Sequence, residues 1–281
     1  MRAKKSLGQN FLKSELALRK IIETGEIKPD DVILEIGPGK GALTKKLLAT
    51  SCQLIAVEKD YELFNFLKTK FEKEIKSKKL VLINDNILDF DLSNKLQAIS
   101  YKLDSYKLIA NIPYNITGAI LRKFLSTKGG SASGGKKFLT AENQPMLMVL
   151  MVQNEVAKRI VASPRHGGAS GKESILSISV KAYGEPKMVM KVPARYFSPA
   201  PKVDSAIIAI KNISRKIFKD NNIDEERFWE IVKTGFAHKR KKLSSNLKNL
   251  SKNIPPALIL DLGNKRAEDL MLQDWINLAK A

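Results

Sequence analysis

The chain has 281 residues and carries 49 Lys and Arg against 29 Asp and Glu, a formal charge of +20 on a sequence that is 43% hydrophobic. That apolar content excludes a disordered basic tail, and a charge of this size favours a polyanionic partner such as nucleic acid. A single cysteine, Cys52, excludes a disulfide framework and fits a reducing cytoplasm, while only two histidines, His166 and His238, argue against a metal centre built from protein ligands.

Along the chain, Leu12, Leu16 and Ile21 space out as one helical face behind Ser14, a residue suited to cap it. From residue 28 onward, short apolar runs alternate with helical segments, the pattern of a parallel sheet covered by helices. Strands are expected over 32–36, 53–57, 80–83, 107–110, 146–152, 175–182 and 203–211, with helices at 42–49 and 61–71 between the earlier ones. The later strands have fewer helices between them, which predicts an antiparallel end to the sheet. After 211 the strand signal stops, and helices are expected over 224–238, 239–250 and 267–280, with Pro255-Pro256 as a breaker. The Gly/Ser-rich stretches 128–137 and 166–172 read as loops. The longest apolar run, 146–152, is too short to span a membrane, and no signal sequence opens the chain. The expected organisation is an α/β domain over 1–212, opened by a segment 1–27, and a small helical domain over 213–281.

Three motifs carry chemistry. Glu35-Ile-Gly37-Pro-Gly39-Lys-Gly41-Ala-Leu-Thr44 follows the first strand and opens a helix, so its glycines let backbone amides approach a ligand. Glu58 lies about 20 residues further on, where an acid binds ribose hydroxyls. By itself this loop fits NAD or S-adenosylmethionine equally; it is not a P-loop, because Gly41 follows Lys40 where a Ser or Thr would hold magnesium. Asp85 and Asn86 end the next strand, and Glu35, Glu58 and Asp85 together form an acidic rim that suits a cationic sulfonium better than a pyrophosphate. Asn111-Ile112-Pro113-Tyr114 ends the fourth strand. An adenine amine is a poor nucleophile, and an Asn side-chain carbonyl with a proline backbone carbonyl would bind its two hydrogens and favour the pyramidal amine, while Tyr114 offers a stacking face for an extruded base.

These motifs, with Lys5-Ser-Leu-Gly8-Gln9-Asn10-Phe11-Leu12 and Phe197-Ser-Pro199-Ala-Pro201-Lys202-Val203-Asp204-Ser205, resemble the ribosomal RNA adenine dimethyltransferases, the family of the bacterial kasugamycin-sensitivity enzyme, over essentially the whole chain. The resemblance implies a Rossmann-like class I methyltransferase sheet with a small C-terminal helical domain. It also implies S-adenosyl-L-methionine as cofactor and N6,N6-dimethylation of two adjacent adenosines in the 3′-terminal hairpin loop of 16S ribosomal RNA within an assembling 30S particle. It places Gln9, Asn10 and Leu12 in a segment closing over the cofactor. Glu35, Gly37 and Gly39 fall in the loop at its methionine end, Glu58 on the ribose, and Asp85 with Asn86 on its adenine. Asn111, Pro113, Tyr114 and Phe197 fall around the target base, with Asn111 also contacting the cofactor. Lys4, Lys5, Lys239, Arg240, Lys241 and Lys242 are the expected RNA contacts, no metal is expected, and a cytoplasmic monomer is implied.

Two departures bear on RNA docking. Asn84-Asp85-Asn86 stands where the family has Gly-Asp-Ala, and Lys239 to Leu243 is less arginine-rich than usual. The competing readings are a macrolide-resistance methyltransferase acting on large-subunit RNA, a binding-only assembly or transcription factor on the same fold, and an NAD oxidoreductase. The last leaves Asn111 to Tyr114 without a purpose.

Overall fold

The computed structural model describes residues 3–90, 105–126, 144–164, 171–250 and 254–280. The loop expected at 128–137 lies outside these residues, as does most of that at 166–172. Two compact units result, one of Met1–Ala157 with Glu185–Ile213 and one of Lys158–Gly184 with Ser214–Ala281. The second therefore takes in a segment from the middle of the chain as well as the C-terminal region.

The first unit begins with β1 (Phe11–Leu12), α1 (Glu15–Gly25) and β2 (Val32–Ile36). It continues through α2 (Ala42–Leu48), β3 (Gln53–Glu58), α3 (Tyr61–Lys70), α4 (Glu72–Lys76) and β4 (Leu80–Asn84). Then come β5 (Lys107–Asn111), α5 (Thr117–Leu125) and β6 (Leu147–Gln153), with α6 (Asn154–Val161) leading out of it. After α7 (Ile175–Lys181) of the second unit, the chain returns for β7 (Glu185–Val192), β8 (Phe197–Ser198) and β9 (Ser205–Lys211).

Among the described residues the main sheet has seven strands in the order β4-β3-β2-β5-β6-β9-β7. The five from β4 to β6 are parallel, and β9 runs antiparallel to both β6 and β7, as the thinning of helices late in the sequence predicted. The parallel strands read as unbroken apolar runs because both faces are covered: the described strand residues Ile33, Leu54, Ile109 and Val149 are fully buried, with Leu18, Ile21, Leu43 and Leu47 of α1 and α2 in the same core. Chain order runs outward from β2 to β4 and then jumps back to β5. The sheet therefore has a switch point between β2 and β5, where a crevice opens at the carboxyl ends of the strands.

Ser14 caps α1 as expected, its hydroxyl accepting the Ala17 N–H at 3.3 Å. The buried face of α1 is nevertheless Ala17, Leu18, Ile21 and Gly25; Leu16 points outward at 59% exposure, and Leu12 belongs to β1. Residues 175–182, expected as a strand, form α7. There Ser174 and Ser177 bond reciprocally in a capping box, and Ser177, Ile178 and Val180 are buried on one helical face. The outer strand β7 was not expected; its Pro186 and alternating Lys187 and Lys191 belong to a sheet edge, where a missing N–H costs no ladder bond.

The second unit adds α8 (Lys216–Asp220), α9 (Glu225–Gly235), α10 (Leu243–Asn246), α11 (Pro256–Asp261) and α12 (Leu272–Lys280). Phe228, Ile231 and Val232 of α9 and Trp275, Ile276 and Leu278 of α12 supply its core, with the Phe236 and Trp275 rings stacked at 5.4 Å. The helix expected over 239–250 shrinks to the four residues of α10, preceded by turns that hold Lys239, Arg240, Lys241 and Lys242 exposed.

Candidate active site

Four strand ends converge on one cavity of about 590 Å³ in the first unit: Glu35 from β2, Glu58 from β3, Asp85 after β4 and Asn111 from β5. The turn after β2 supplies one wall. Gly39 has φ +61°, and a Cβ there would come 3.0 Å from the Phe11 ring; Gly41, at φ +75°, would push one to 2.6 Å from the Phe71 ring. Neither position admits a side chain, so the loop stays tight, with the Gly37 N–H on the Val57 carbonyl and the Gly41 N–H on the Pro38 carbonyl.

Glu58 is 5% exposed, and its two oxygens accept the Gly39 N–H at 3.0 Å and the Asp60 N–H at 2.9 Å. Burial raises its pKa against the pull of these amides. Glu35 is 1% exposed, accepts the Thr44 hydroxyl at 2.8 Å, and is pushed up to about 8, chiefly by burial and further by the nearby Glu58 charge. Two buried carboxyl groups with so little cationic compensation are the acceptor set expected for a ligand that carries positive charge and hydroxyls.

A stability consequence follows for Glu35. Between pH 4.5 and about 8 the unfolded chain releases this proton while the folded chain retains it, so stability falls as pH rises through that window. Glu35→Gln is expected to raise the melting temperature at pH 8, without added cofactor, by several degrees, and to give no advantage at pH 4.5 or below. Melts at both pH values check this, and an advantage independent of pH would count against it.

At the end of β5 the Asn111 amide donates from Nδ2 to the Asn10 carbonyl at 3.2 Å. That bond fixes the amide's orientation and leaves Oδ1 as an acceptor with no partner among the described residues. The Pro113 carbonyl accepts the Ile116 N–H at 3.2 Å, closing the turn over Tyr114 to Ile116, whereas the carbonyl of Ile112, a residue that also lines the cavity, makes no such turn bond among the described residues. Tyr114 lines the cavity, and its hydroxyl bonds the fully buried Ser205 Oγ at the start of β9; burial raises its pKa. Ser205 thus fixes the tilt of the Tyr114 ring.

The opening segment forms a further wall beside the turn after β2, with Gln9, Asn10 and Leu12 all on the cavity. It is held at its far end by β1, which pairs antiparallel with β8, Phe11 opposite Ser198 and Leu12 opposite Phe197. This register corrects one expectation: Phe197 is 2% exposed in the core cluster and does not line the cavity, whereas its neighbour Ser198 does. Asp85 and Asn86 are on the wall, but the Asn86 side chain is spent on its own turn, donating to Asp89 at 2.6 Å and accepting the Leu88 N–H at 3.3 Å. Lys4, expected on RNA, is tied instead to Asp60 at 2.9 Å and Glu62 at 3.1 Å. The side chain of Lys5 is outside the described positions.

Sequence reasoning missed Asp60, Lys123 and Ser205. Asp60 was legible as the cap of α3, where it accepts the Glu62 N–H at 3.0 Å. Burial alone would raise its carboxyl, but hydrogen bonds from Lys4 and Gln9 outweigh burial and hold it below the usual range. Lys123, 5% exposed on α5, reaches the carbonyls of Leu88 at 3.2 Å and Phe90 at 2.6 Å, bracing the turn after Asp85.

The family model described as ribosomal RNA adenine dimethylase matches residues 1–281. The chain is 36% identical over 281 residues to the ribosomal RNA small subunit methyltransferase A of Dehalococcoides mccartyi, covering 98% of this chain and 87% of that one. With the protein of the same name from Francisella tularensis it shares 37% identity, covering 99% and 97%. Among solved structures it superposes on a dimethyladenosine transferase from Plasmodium falciparum with a TM-score of 0.72 at 26% identity, covering 95% of each chain. It shares its fold with the 23S rRNA methyltransferase ErmE at a TM-score of 0.69 and 23% identity, covering 96% and 98%.

Proposed function

The chain belongs to the ribosomal RNA adenine dimethylase family, an S-adenosylmethionine-dependent enzyme of small-subunit ribosomal RNA, and from that premise we propose how its residues divide the work and where on the RNA they act. The observation that carries the assignment of roles is the meeting of Glu35, Glu58, Asp85 and Asn111 on one cavity at the switch point of the sheet.

Bound S-adenosylmethionine supplies a methyl group on a sulfonium, made electrophilic by the positive sulfur. Glu58 holds the ribose hydroxyls on the lone pairs that Gly39 and Asp60 leave free, with its carboxylate already oriented by those two amides. The Gly37 to Gly39 loop and Glu35 receive the methionine end, whose ammonium provides the charge that a buried Glu35 lacks. Asp85 and Asn86 form the floor under the cofactor adenine, Asn86 by shaping the turn. Gln9, Asn10 and Leu12 close over it.

On the substrate side, Asn111 Oδ1 takes one hydrogen of the target amine. We assign the second acceptor to the carbonyl of Ile112 rather than Pro113, since the latter already serves the turn. Two acceptors draw the amine toward the pyramidal geometry in which its lone pair is available, a stabilisation larger in the transition state than in the flat ground state. Tyr114, tethered by Ser205, stacks against the extruded base, worth about 1 to 3 kcal/mol. The proton leaves to solvent once the nitrogen has become cationic, so no side-chain base is required. A second transfer demands room for a monomethylated amine and no further group.

The substrate we propose is a pair of adjacent adenosines in the 3′-terminal hairpin loop of 16S RNA, met within an assembling 30S particle by a cytoplasmic monomer. The exposed Lys239 to Lys242 run supports a phosphate-contacting role for the helical unit. Among the described residues no helix is long and apolar enough to cross a membrane. Labelled methyl transfer to unmethylated small and large subunits, side by side, tests the reading. Dimethyladenosine on the small subunit is the expected product, and label on the large subunit would overturn the proposed site.

A further inference from the structure

Besides the Asn10 carbonyl bonded by Asn111, the segment that walls the cavity is fastened at two places. One is the β1–β8 pairing, extended by the Lys13 N–H to the Tyr196 carbonyl at 2.8 Å. The other is the start of α3, where the buried Asp60 carboxylate is the main partner and the exposed Glu62 lies 3.1 Å from the Lys4 ammonium. Asp60 Oδ1 accepts the Lys4 ammonium at 2.9 Å and its Oδ2 accepts the Gln9 amide at 2.8 Å, while Gln9 Oε1 accepts the Lys4 backbone N–H at 2.8 Å and closes the ring. The Asp60 side chain is only 2% exposed, so these contacts satisfy a carboxylate that would otherwise be buried without a counter-charge.

The same residue faces the floor of the site. Its backbone N–H is one of the two donors that orient Glu58, and Glu58 in turn holds the Gly39 amide at 3.0 Å. The contacts therefore run from the wall to the floor in an unbroken series: Lys4 and Gln9, Asp60, Glu58, Gly39. Between the two fastenings lies Asn10, whose carbonyl sets the Asn111 amide.

We propose that Asp60 is a positioning residue for the transfer reaction, a latch whose ion pair with Lys4 and hydrogen bond from Gln9 hold the opening segment closed over the cofactor while its backbone holds the acid that grips the ribose. The proposal rests on the cofactor-site reading above. It gives Lys4 a role in retaining cofactor in place of the RNA contact expected from sequence. Because apparent affinity scales with the fraction of molecules in the closed form, weakening the latch raises the cofactor Kd and speeds release. With cofactor saturating and β1 still paired to β8, the closed form is restored and turnover survives.

Lys4→Met tests this without endangering the fold, since Lys4 is 39% exposed and its removal leaves the cap of α3 intact. In calorimetry with S-adenosylmethionine, Lys4→Met is expected to bind about tenfold more weakly, with kcat at saturating cofactor within about twofold of the unaltered chain. Asp60→Asn is expected to bind more weakly still, and the double variant to lose clearly less than the product of the two single losses, because Lys4 acts mainly through Asp60 and only secondarily through the exposed Glu62. Unchanged affinity in Lys4→Met, or losses that multiply in the double variant, would overturn the latch while leaving the cofactor site standing. Failure of the unaltered chain to bind S-adenosylmethionine at all would overturn the site reading and the latch together.

Discussion

Asn111→Ala is expected to lower kcat for methyl transfer by about 10²- to 10³-fold, the cost of removing one preorganised hydrogen-bonding group aimed at a developing charge. The change removes the Oδ1 acceptor and also the Nδ2 bond to the Asn10 carbonyl. It leaves Glu58, with its Gly39 and Asp60 amides, untouched, so cofactor affinity is expected to hold within a few-fold. Asn111→Asp makes a sharper comparison: it preserves the shape but turns an oxygen toward the Asn10 carbonyl, so rotation or repulsion follows and the loss is expected to be nearly as large. Single-turnover rates with cofactor and small subunits both saturating measure the effect on chemistry. A loss of less than about tenfold in Asn111→Ala would mean that the amine is polarised by other groups.

Replacing Lys239, Arg240, Lys241 and Lys242 together with glutamine is expected to do the reverse, leaving the chemistry intact and removing docking. All four are exposed in turns before α10 and touch no core, so the fold and cofactor binding are expected to be unaffected. If each neutralises one phosphate, the slope of log affinity against log salt becomes shallower by about 3, and binding to small subunits near physiological salt weakens by about two orders of magnitude. A titration at several salt concentrations separates this from misfolding, which would lower the amplitude at every salt. An unchanged slope would show that the patch is a solvated face.

The parallel strands and the catalytic strand ends were legible in the sequence because burial on both faces writes long apolar runs, and because the residues that bind ligand follow them at once. What failed did so for local reasons. Residues 176–180 alternate Leu, Ile and Val with serines, a period-2 pattern, yet the Ser174–Ser177 capping box and burial of one helical face decide for helix. Glu185–Val192 reads as polar because an outer strand keeps its charges. Phe197 matched a base-stacking position by motif, but its pairing with Leu12 turns the ring into the core, and a register across some 185 residues is invisible in a local pattern. Ser205 and Lys123 act through tertiary hydrogen bonds to Tyr114 and to the carbonyls of Leu88 and Phe90, and their neighbours in sequence give no hint of either.

The helical unit is assembled from two stretches of chain separated by β7, β8 and β9 of the first unit. The Glu173 N–H bonds the Glu268 carbonyl at 2.8 Å, and the Tyr183 ring sits 5.6 Å from that of Phe218. During synthesis, α7 therefore leaves the ribosome before its partners exist, and Tyr183 waits for Phe218 and Trp229, and Glu173 for Glu268, until the C-terminal stretch of the second unit is made. The same topology bears on any shortened version of the protein. Stopping the chain after Ile213 would strip the cover from α7 and leave an apolar helix on the product, so a clean catalytic half needs Lys158–Gly184 replaced by a short polar linker joining Ala157 to Glu185.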